Sequence, residues 1–209
     1  WARSNVPSFS DINQLTKNSI YSYLDFLFSK NKIALGLAGL IAFTTGLEPR
    51  RIYQISSSDS MPKKFDDLYF SPTMHTLRYG LINSATNFDK SSKGLASSQI
   101  ITLSLPESIS KLIKHNLNEF ASLGEKNYPC RRFSELNPGP SPTLKRIARS
   151  GYLLMRRRYI SRVDCQRLSR KIPIYSVNEN AYIASDNAGL SKAFYKMLEL
   201  ISLEIKLPN

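Results

Sequence analysis

The run IALGLAGLIAF (Ile33–Phe43) is the feature that most constrains the fold of this 209-residue chain. It contains no charged residue, and it is shorter than the about 20 residues that a helix needs to span a bilayer. A helix that is apolar on every side is usually buried inside a domain. We therefore expect a central helix over residues 32–44, with the other elements packed around it, and no membrane partner.

The stretch TTGLEPRRIYQI (Thr44–Ile55) follows this run directly. Glycine commonly ends a helix, and proline favours the first turn of the next one. We therefore expect a tight corner at Gly46 and a short helix from Pro49 to near Ile55. A structural turn explains this much. The adjacent charges of opposite sign leave open a second interpretation, a site that handles phosphate.

The remaining periodicity predicts a mostly helical α+β fold, with helices around a small antiparallel sheet. We expect one domain over residues 1–209, with a mobile break in the proline-rich stretch 125–142. The basic segment 143–171 reads as two helices interrupted near Gly151. The other expected elements are a helix from Ser10-Asp11 to near Ser29, strands over 68–70, 75–82 and 99–105, a helix that Ser104 and Pro106 open and Gly124 ends, and a last helix over 188–205.

Positive charge dominates the chain, whose formal net charge is +13. The segment 143–171 contains ten basic residues and one acid, Asp164. A charge surplus of this size favours a polyanionic partner, and arginine suits phosphate geometry better than lysine does. Nucleic acid is therefore the expected class of partner, and a solvated basic face is the alternative; duplex DNA becomes the expected partner only through the resemblance described next. Cys130 and Cys165 show no disulfide or metal spacing, so we expect no metal, no cofactor and a cytoplasmic (nucleoid-associated) or nuclear protein.

TGLEPRRIYQI resembles the first catalytic box of the tyrosine recombinase (phage integrase) family. That box has a Thr-Gly pair at a helical corner, then a catalytic arginine, and hydrophobic residues that Ile52 and Ile55 match here. The family's second box, H-x-x-R, resembles Arg146-Ile147-Ala148-Arg149. Arg149 lies 101 residues after Glu48, beyond a strand and a helix that follows a Leu-Pro pair as in the family.

The family's nucleophilic tyrosine follows the second arginine by some thirty-odd residues, and Tyr182 lies 33 residues after Arg149. The resemblance spans residues 10–205. It implies that Tyr182 attacks a DNA phosphodiester, that Arg149 binds the phosphate, and that Lys90 or Lys93 protonates the leaving oxygen. It also implies assembly through the C-terminal helix, whose apolar stripe is equally consistent with packing in its own core. The upstream DNA-clamping domain of the family is not visible, so we expect a fragment.

Three positions depart from the family pattern. Glu48 occupies the position of the first arginine, while Arg51 occupies that of the usual acid. Arg146 replaces the histidine of H-x-x-R, and Pro173 occupies the position of a late histidine. These changes predict a DNA-binding domain, from a mobile element or a relative of one, with impaired or lost strand-transfer chemistry. Other candidate DNA-binding residues are Arg50, Arg51, Lys145, Arg156, Arg157, Arg158 and Arg162.

Two alternatives remain open. In the first, the chain is an active divergent integrase, in which Arg50 or Arg51 acts as a displaced first arginine. In the second, it is a basic RNA-binding or interaction module unrelated to recombinases.

Overall fold

The computed structural model describes residues 15–62, 67–80, 100–123, 142–158, 162–169 and 187–208, and of residues 155–158, 162, 163, 165, 166 and 187 it describes the backbone only. These residues form seven helices and four strands. The helices are α1 (Lys17–Ser29), α2 (Ile33–Thr45), α3 (Pro49–Tyr53), α4 (Glu107–Leu123), α5 (Leu144–Arg158), α6 (Arg162–Ser169) and α7 (Asn187–Glu204). The strands are β1 (Ser56–Ser57), β2 (Leu68–Ser71), β3 (Thr76–Gly80) and β4 (Ile100–Ser104).

Helix α2 lies at the centre of the hydrophobic core, as the apolar run predicts. Every residue from Ala34 to Thr45 is buried. Helices α1, α4 and α5 pack around it, so α2 is in contact with the core on several sides and not on one face alone. Among the described residues, no helix is long and apolar enough to cross a membrane.

Helix α1 begins later than predicted. Its N-cap is Thr16, whose Oγ1 accepts a hydrogen bond from the Ser19 amide at 3.1 Å. The predicted cap at Ser10-Asp11 lies outside the described residues and does not open this helix. Serine, threonine and aspartate all make good N-caps, so the sequence offered several starts. The predicted end at Ser29 is confirmed.

The sheet is mixed rather than purely antiparallel. Its strand order is β1-β2-β3-β4. The β2/β3 and β3/β4 pairs are antiparallel, but β1 pairs with β2 in parallel, with Ser56 opposite Tyr69. The prediction of an antiparallel sheet is therefore wrong at this edge, because a two-serine strand has neither the length nor the composition that reveals a strand. The three predicted strands are confirmed where the structure describes them, whereas the predicted ends at residues 81–82 and at residue 99 lie outside the described residues.

The two faces of the sheet differ in chemistry. One face is directed at the core and carries Leu68, Phe70, Leu77, Tyr79, Ile101 and Leu103, all buried. The opposite face carries Arg78, which is only 3% exposed and whose Nη1 donates to the Asp59 carbonyl at 2.7 Å. Asp59 also accepts from the Ser71 and Thr73 hydroxyls, and these bonds lower the pKa of its carboxyl. Arg78 therefore joins the segment after β1 to the sheet.

The basic segment forms two helices, but the break is not at Gly151. Helix α5 passes through Gly151 and ends at Arg158, and α6 starts at Arg162. A Cβ built on Gly151 would overlap the backbone carbonyl of Phe43 in α2. The glycine therefore allows a close crossing of two helices, which outweighs its low intrinsic helix propensity.

Helix α7 buries its predicted apolar stripe within this chain. Phe194, Met197 and Ile201 are each less than a tenth exposed. The helix packs on β4, where the Ser104 amide donates to Ser191 Oγ at 2.8 Å. Its other end is tied to α1 by an ion pair between Lys17 Nζ and Glu204 Oε1 at 2.8 Å. Of the two alternatives for this stripe, the structure shows packing in the chain's own core.

Candidate nucleic-acid interface at the Gly46 corner

The C-terminal end of α2 forms a tight corner. Gly46 has a φ of 70°, the left-handed conformation that glycine adopts most readily, and its amide donates to the Ala42 carbonyl at 2.9 Å. Thr45 Oγ1 donates to the Ile41 carbonyl at 2.6 Å and accepts from the Leu47 amide at 3.1 Å. These bonds hold the direction in which the chain leaves α2.

The charged residues after the corner differ in exposure. Glu48 is the extended N-cap residue of α3, makes no side-chain capping bond and is exposed. Arg50 is also exposed, whereas Arg51 is half-buried. The carboxylate at the predicted first-arginine position therefore faces solvent, with Arg50 on the same short helix.

Helix α5 brings the second predicted box to this corner. A Cβ built on Gly46 would lie 3.7 Å from the Ala148 carbonyl oxygen and 3.4 Å from Tyr152 Cβ. Ala148 precedes Arg149, so the predicted phosphate-binding arginine belongs to the turn of α5 that touches the corner. Helices α3 and α5 also pack against each other. The structure thus places the first and second boxes, which lie 101 residues apart in the chain, on contacting elements.

The N-terminal half of α5 is amphipathic. Leu144, Ile147 and Ala148 are buried against the core. Lys145 and Arg149, one helical turn apart, are exposed. Arg146 is half-buried, and its amide donates to Thr143 Oγ1 at 3.3 Å, which is an N-cap bond. Lys145, a predicted DNA-binding residue, and Arg149, the predicted phosphate-binding residue of the catalytic set, therefore share one solvent-facing stripe.

Helix α6 ends at the same corner. The Cβ of Ser169 lies 3.1 Å from a Cβ built on Gly46. Arg167 belongs to the positive surplus of segment 143–171, but it is only 4% exposed, and its Nη1 lies 3.6 Å from Asp164 Oδ1. This arginine supports the packing of α6 and does not belong to the solvent-facing cations.

Tyr79 of β3 connects the sheet to the end of α6. Its hydroxyl donates to the Leu168 carbonyl at 2.9 Å, although the two residues are 89 positions apart. The side chain is fully buried, and this burial raises the pKa of the phenol strongly, while the nearby Arg167 guanidinium lowers it. The phenol is therefore protonated, and a hydrogen-bond donor, at any physiological pH.

Two described elements near this corner, β3 and α6, precede predicted catalytic residues in the sequence. Strand β3 ends at Gly80, one residue after Tyr79, and Lys90 and Lys93 come later in the chain. Helix α6 ends at Ser169, and Tyr182 lies in the segment that follows it. Tyr182, Lys90 and Lys93 themselves lie outside the described residues, as does the predicted break at 125–142. The side chains of Arg156, Arg157, Arg158 and Arg162 lie outside them as well.

Sequence reasoning missed Tyr79 and Ser169, and it took Gly151 for a helix break although this glycine permits the crossing of α5 and α2. A signal for Tyr79 exists in the alternation of β3, where Tyr79 and Leu77 share one face and Arg78 lies on the other. Nothing local distinguishes Ser169, because its contact with Gly46 depends on how α6 packs. Among the described residues, no group of three or more His, Cys, Asp and Glu side chains is placed to hold a metal ion.

Comparison with known proteins returns no relative. No protein-family model, no curated protein and no solved structure matches the chain. The relationship to tyrosine recombinases stays a prediction from the sequence motifs.

Proposed function

We propose that this chain is a DNA-binding domain of the tyrosine-recombinase type whose strand-transfer chemistry is impaired or lost. The observation that carries the proposal is the contact of the Gly46 corner with the turn of α5 that precedes Arg149. The motif spacing predicts that these two distant stretches surround one phosphate, and they lie on contacting elements. A chance match of two short motifs gives no reason for such a contact.

Exposed cations support a phosphate-bound partner. Arg50, Lys145 and Arg149 are exposed on two packed helices, α3 and α5. Contacts from such side chains to backbone phosphates supply most of the sequence-independent affinity for DNA, through the release of condensed counterions. The basic residues of this interface therefore bind duplex DNA with a strong dependence on salt.

Glu48 supports the loss of chemistry. Phosphoryl transfer by a tyrosine needs positive groups where charge develops in the transition state. An exposed carboxylate at that position repels a phosphate instead of stabilising it. The domain accordingly keeps binding and loses most or all of its cleavage rate.

A salt series of duplex binding tests the proposal. Labelled random-sequence duplex is titrated with the chain, with a variant Lys145→Gln/Arg149→Gln, and with a control Lys30→Gln/Lys32→Gln. Both variants remove two exposed cations, but Lys30 and Lys32 flank the turn before α2, at its other end. We expect the first variant to bind more weakly and to reduce the slope of log K against log salt by about 1 to 2. The control keeps the wild-type slope.

Three results would contradict the proposal. The wild-type chain fails to bind duplex at low salt, both variants lose affinity equally, or single-stranded RNA competes better than duplex DNA. The last result supports the alternative of an RNA-binding module.

The chemical half of the proposal has its own test. Nicked suicide duplexes, which trap a covalent intermediate, are incubated with the wild-type chain and with Tyr182→Phe. We expect no adduct from either protein. A covalent adduct with the wild type that disappears in Tyr182→Phe establishes the alternative, an active divergent integrase.

A further inference from the structure

We propose that Tyr79 is a positioning residue for the DNA-binding interface, which it serves by fixing the C-terminal end of α6 against the Gly46 corner. This inference rests on the function proposed above and adds to it a residue that lies outside every motif. Tyr79 touches no DNA in this proposal and acts through the placement of α6 and α5.

The chemistry of the core-facing sheet side indicates that the Tyr79 hydroxyl has a specific task. The other core-facing residues of β2, β3 and β4 are Leu68, Phe70, Leu77, Ile101 and Leu103, all without a polar atom in the side chain. Phenylalanine would fill the volume of Tyr79 equally well. The hydroxyl adds one feature, the 2.9 Å hydrogen bond to the Leu168 carbonyl.

That carbonyl belongs to the last turn of α6, where backbone oxygens lack partners within the helix. Leu168 is fully buried, so water is a poor substitute for the hydroxyl. Tyr79 thus caps α6 from the sheet and sets where the helix ends. Its tie to Leu168 is one residue from Ser169, which touches the corner.

Through the contacts around Gly46, the position of α6 affects the positions of the exposed cations. Ser169 approaches Gly46 from α6, while Ala148 and Tyr152 approach it from α5. A shift of α6 therefore changes the space that α5 and the corner share, and with it the position of Arg149 relative to Arg50. Small displacements pass through close-packed contacts of this kind because the interior cannot compress.

The experiment compares Tyr79→Phe with Ser191→Ala. Ser191 is a matched control, because its Oγ also joins the sheet to a helix, through the Ser104 amide at 2.8 Å, and α7 does not carry the interface. Duplex affinity is measured at a temperature where circular dichroism shows all proteins folded. We expect Tyr79→Phe to lose about three- to tenfold in affinity, while Ser191→Ala binds like the wild type.

A double-mutant cycle with Arg149→Gln supplies a readout that a merely structural role does not move. Since Tyr79 acts through the position of Arg149, the combined variant should lose less affinity than the product of the two single losses. Additive losses, or equal affinities of Tyr79→Phe and the wild type, overturn the inference while the wild type still binds DNA. A wild type that does not bind duplex overturns the proposed function itself, so the two failures are distinguishable.

Discussion

The two ends of α2 carry similar charge and differ in what surrounds them. They lie about 20 Å apart, given the rise of an α-helix. At the N-terminal end, Lys30, Asn31 and Lys32 form an exposed turn to α1. At the C-terminal end, Gly46 is in contact with α5 and α6, and α3 follows. Exposed cations occur at both ends, and at the C-terminal end they lie where α5 and α6, two elements distant in the chain, meet Gly46.

This difference shows why charge alone does not locate a site. Exposed lysines on a turn are ordinary solvated residues and bind polyanions weakly. A binding site also needs side chains held in fixed relative positions by packed elements. The Gly46 corner meets that condition through Thr45, Gly151 and the Tyr79 bond, each of which involves buried atoms.

The largest expected effect compares Gly151, which packs against the C-terminal half of α2, with Gly36, which lies in its N-terminal half. In Gly151→Ala the new methyl group overlaps the Phe43 carbonyl, a backbone atom that cannot move aside. We expect a loss of more than about 3 kcal/mol in the free energy of unfolding. In Gly36→Ala the methyl group meets the Phe28 ring, which can rotate, and alanine's better helix propensity offsets part of the cost. We expect about 1 kcal/mol there.

Denaturant unfolding followed by circular dichroism measures both glycine variants. Both glycines lie inside helices, so the propensity gain is the same and the difference reports the tertiary contact. Equal losses in the free energy of unfolding would contradict this expectation, because they would mean that both halves of α2 accommodate an added methyl group equally well.

An intermediate effect on stability comes from the buried phenol of Tyr79, near the C-terminal end of α2. Burial raises the pKa of Tyr79 in the folded state, so the unfolded chain releases this proton first as the pH rises above about 10. Tyr79 therefore stabilises the fold fully below that pH and progressively less above it. Its share of the slope is about 1.4 kcal/mol per pH unit.

Alkaline unfolding curves of the wild type and Tyr79→Phe measure that share. The two free energies of unfolding should converge between about pH 10 and 11.5, because the variant has no phenol at this position. Ser191→Ala, the control at the contact between β4 and α7, should stay parallel to the wild type. Parallel curves for Tyr79→Phe would place the hydroxyl in contact with water.

The smallest expected effect tests the acid of the corner. Glu48→Arg replaces an exposed repulsive charge by an attractive one, and we expect about threefold tighter duplex binding and a salt slope steeper by about 1. Glu199→Arg makes the same change of charge on the exposed side of α7 and serves as the control. A salt series on both variants measures whether the gain in affinity depends on the position of the new arginine. An equal gain from Glu199→Arg would attribute the effect to net charge alone.

Much of the fold was predictable because its signals are local. The apolar run sets α2, proline starts α3 at Pro49, and the strands β2 to β4 show the expected composition. The failures also have local causes. The two serines of β1 give no recognisable strand signal. Several hydroxyl and carboxyl residues are equally good candidates for the N-cap of α1. In the sequence, a glycine that permits a helix crossing cannot be distinguished from one that breaks a helix.

The candidate site was predictable only in part. Spacing and resemblance pointed to Glu48 and Arg149, which lie beside the Gly46 corner and on the helix that contacts it, and the charge of segment 143–171 pointed to the exposed Lys145. Arg167 counts toward the positive charge of segment 143–171, yet this residue is buried beside Asp164. Charge counted along a chain carries no information about the direction of each side chain.

By itself, the sequence determined that a wholly apolar helix must be buried, that a glycine ends it, and that a strong basic surplus follows late in the chain. These are properties of residues and their neighbours, which burial and backbone freedom constrain wherever they occur. The tertiary structure alone decided that Gly151 meets Phe43, that Tyr79 reaches Leu168, and that α5 and α6 end up beside Gly46. Contacts between residues so far apart in the chain depend on how whole elements pack, because shape and volume in a close-packed interior are properties of all partners at once.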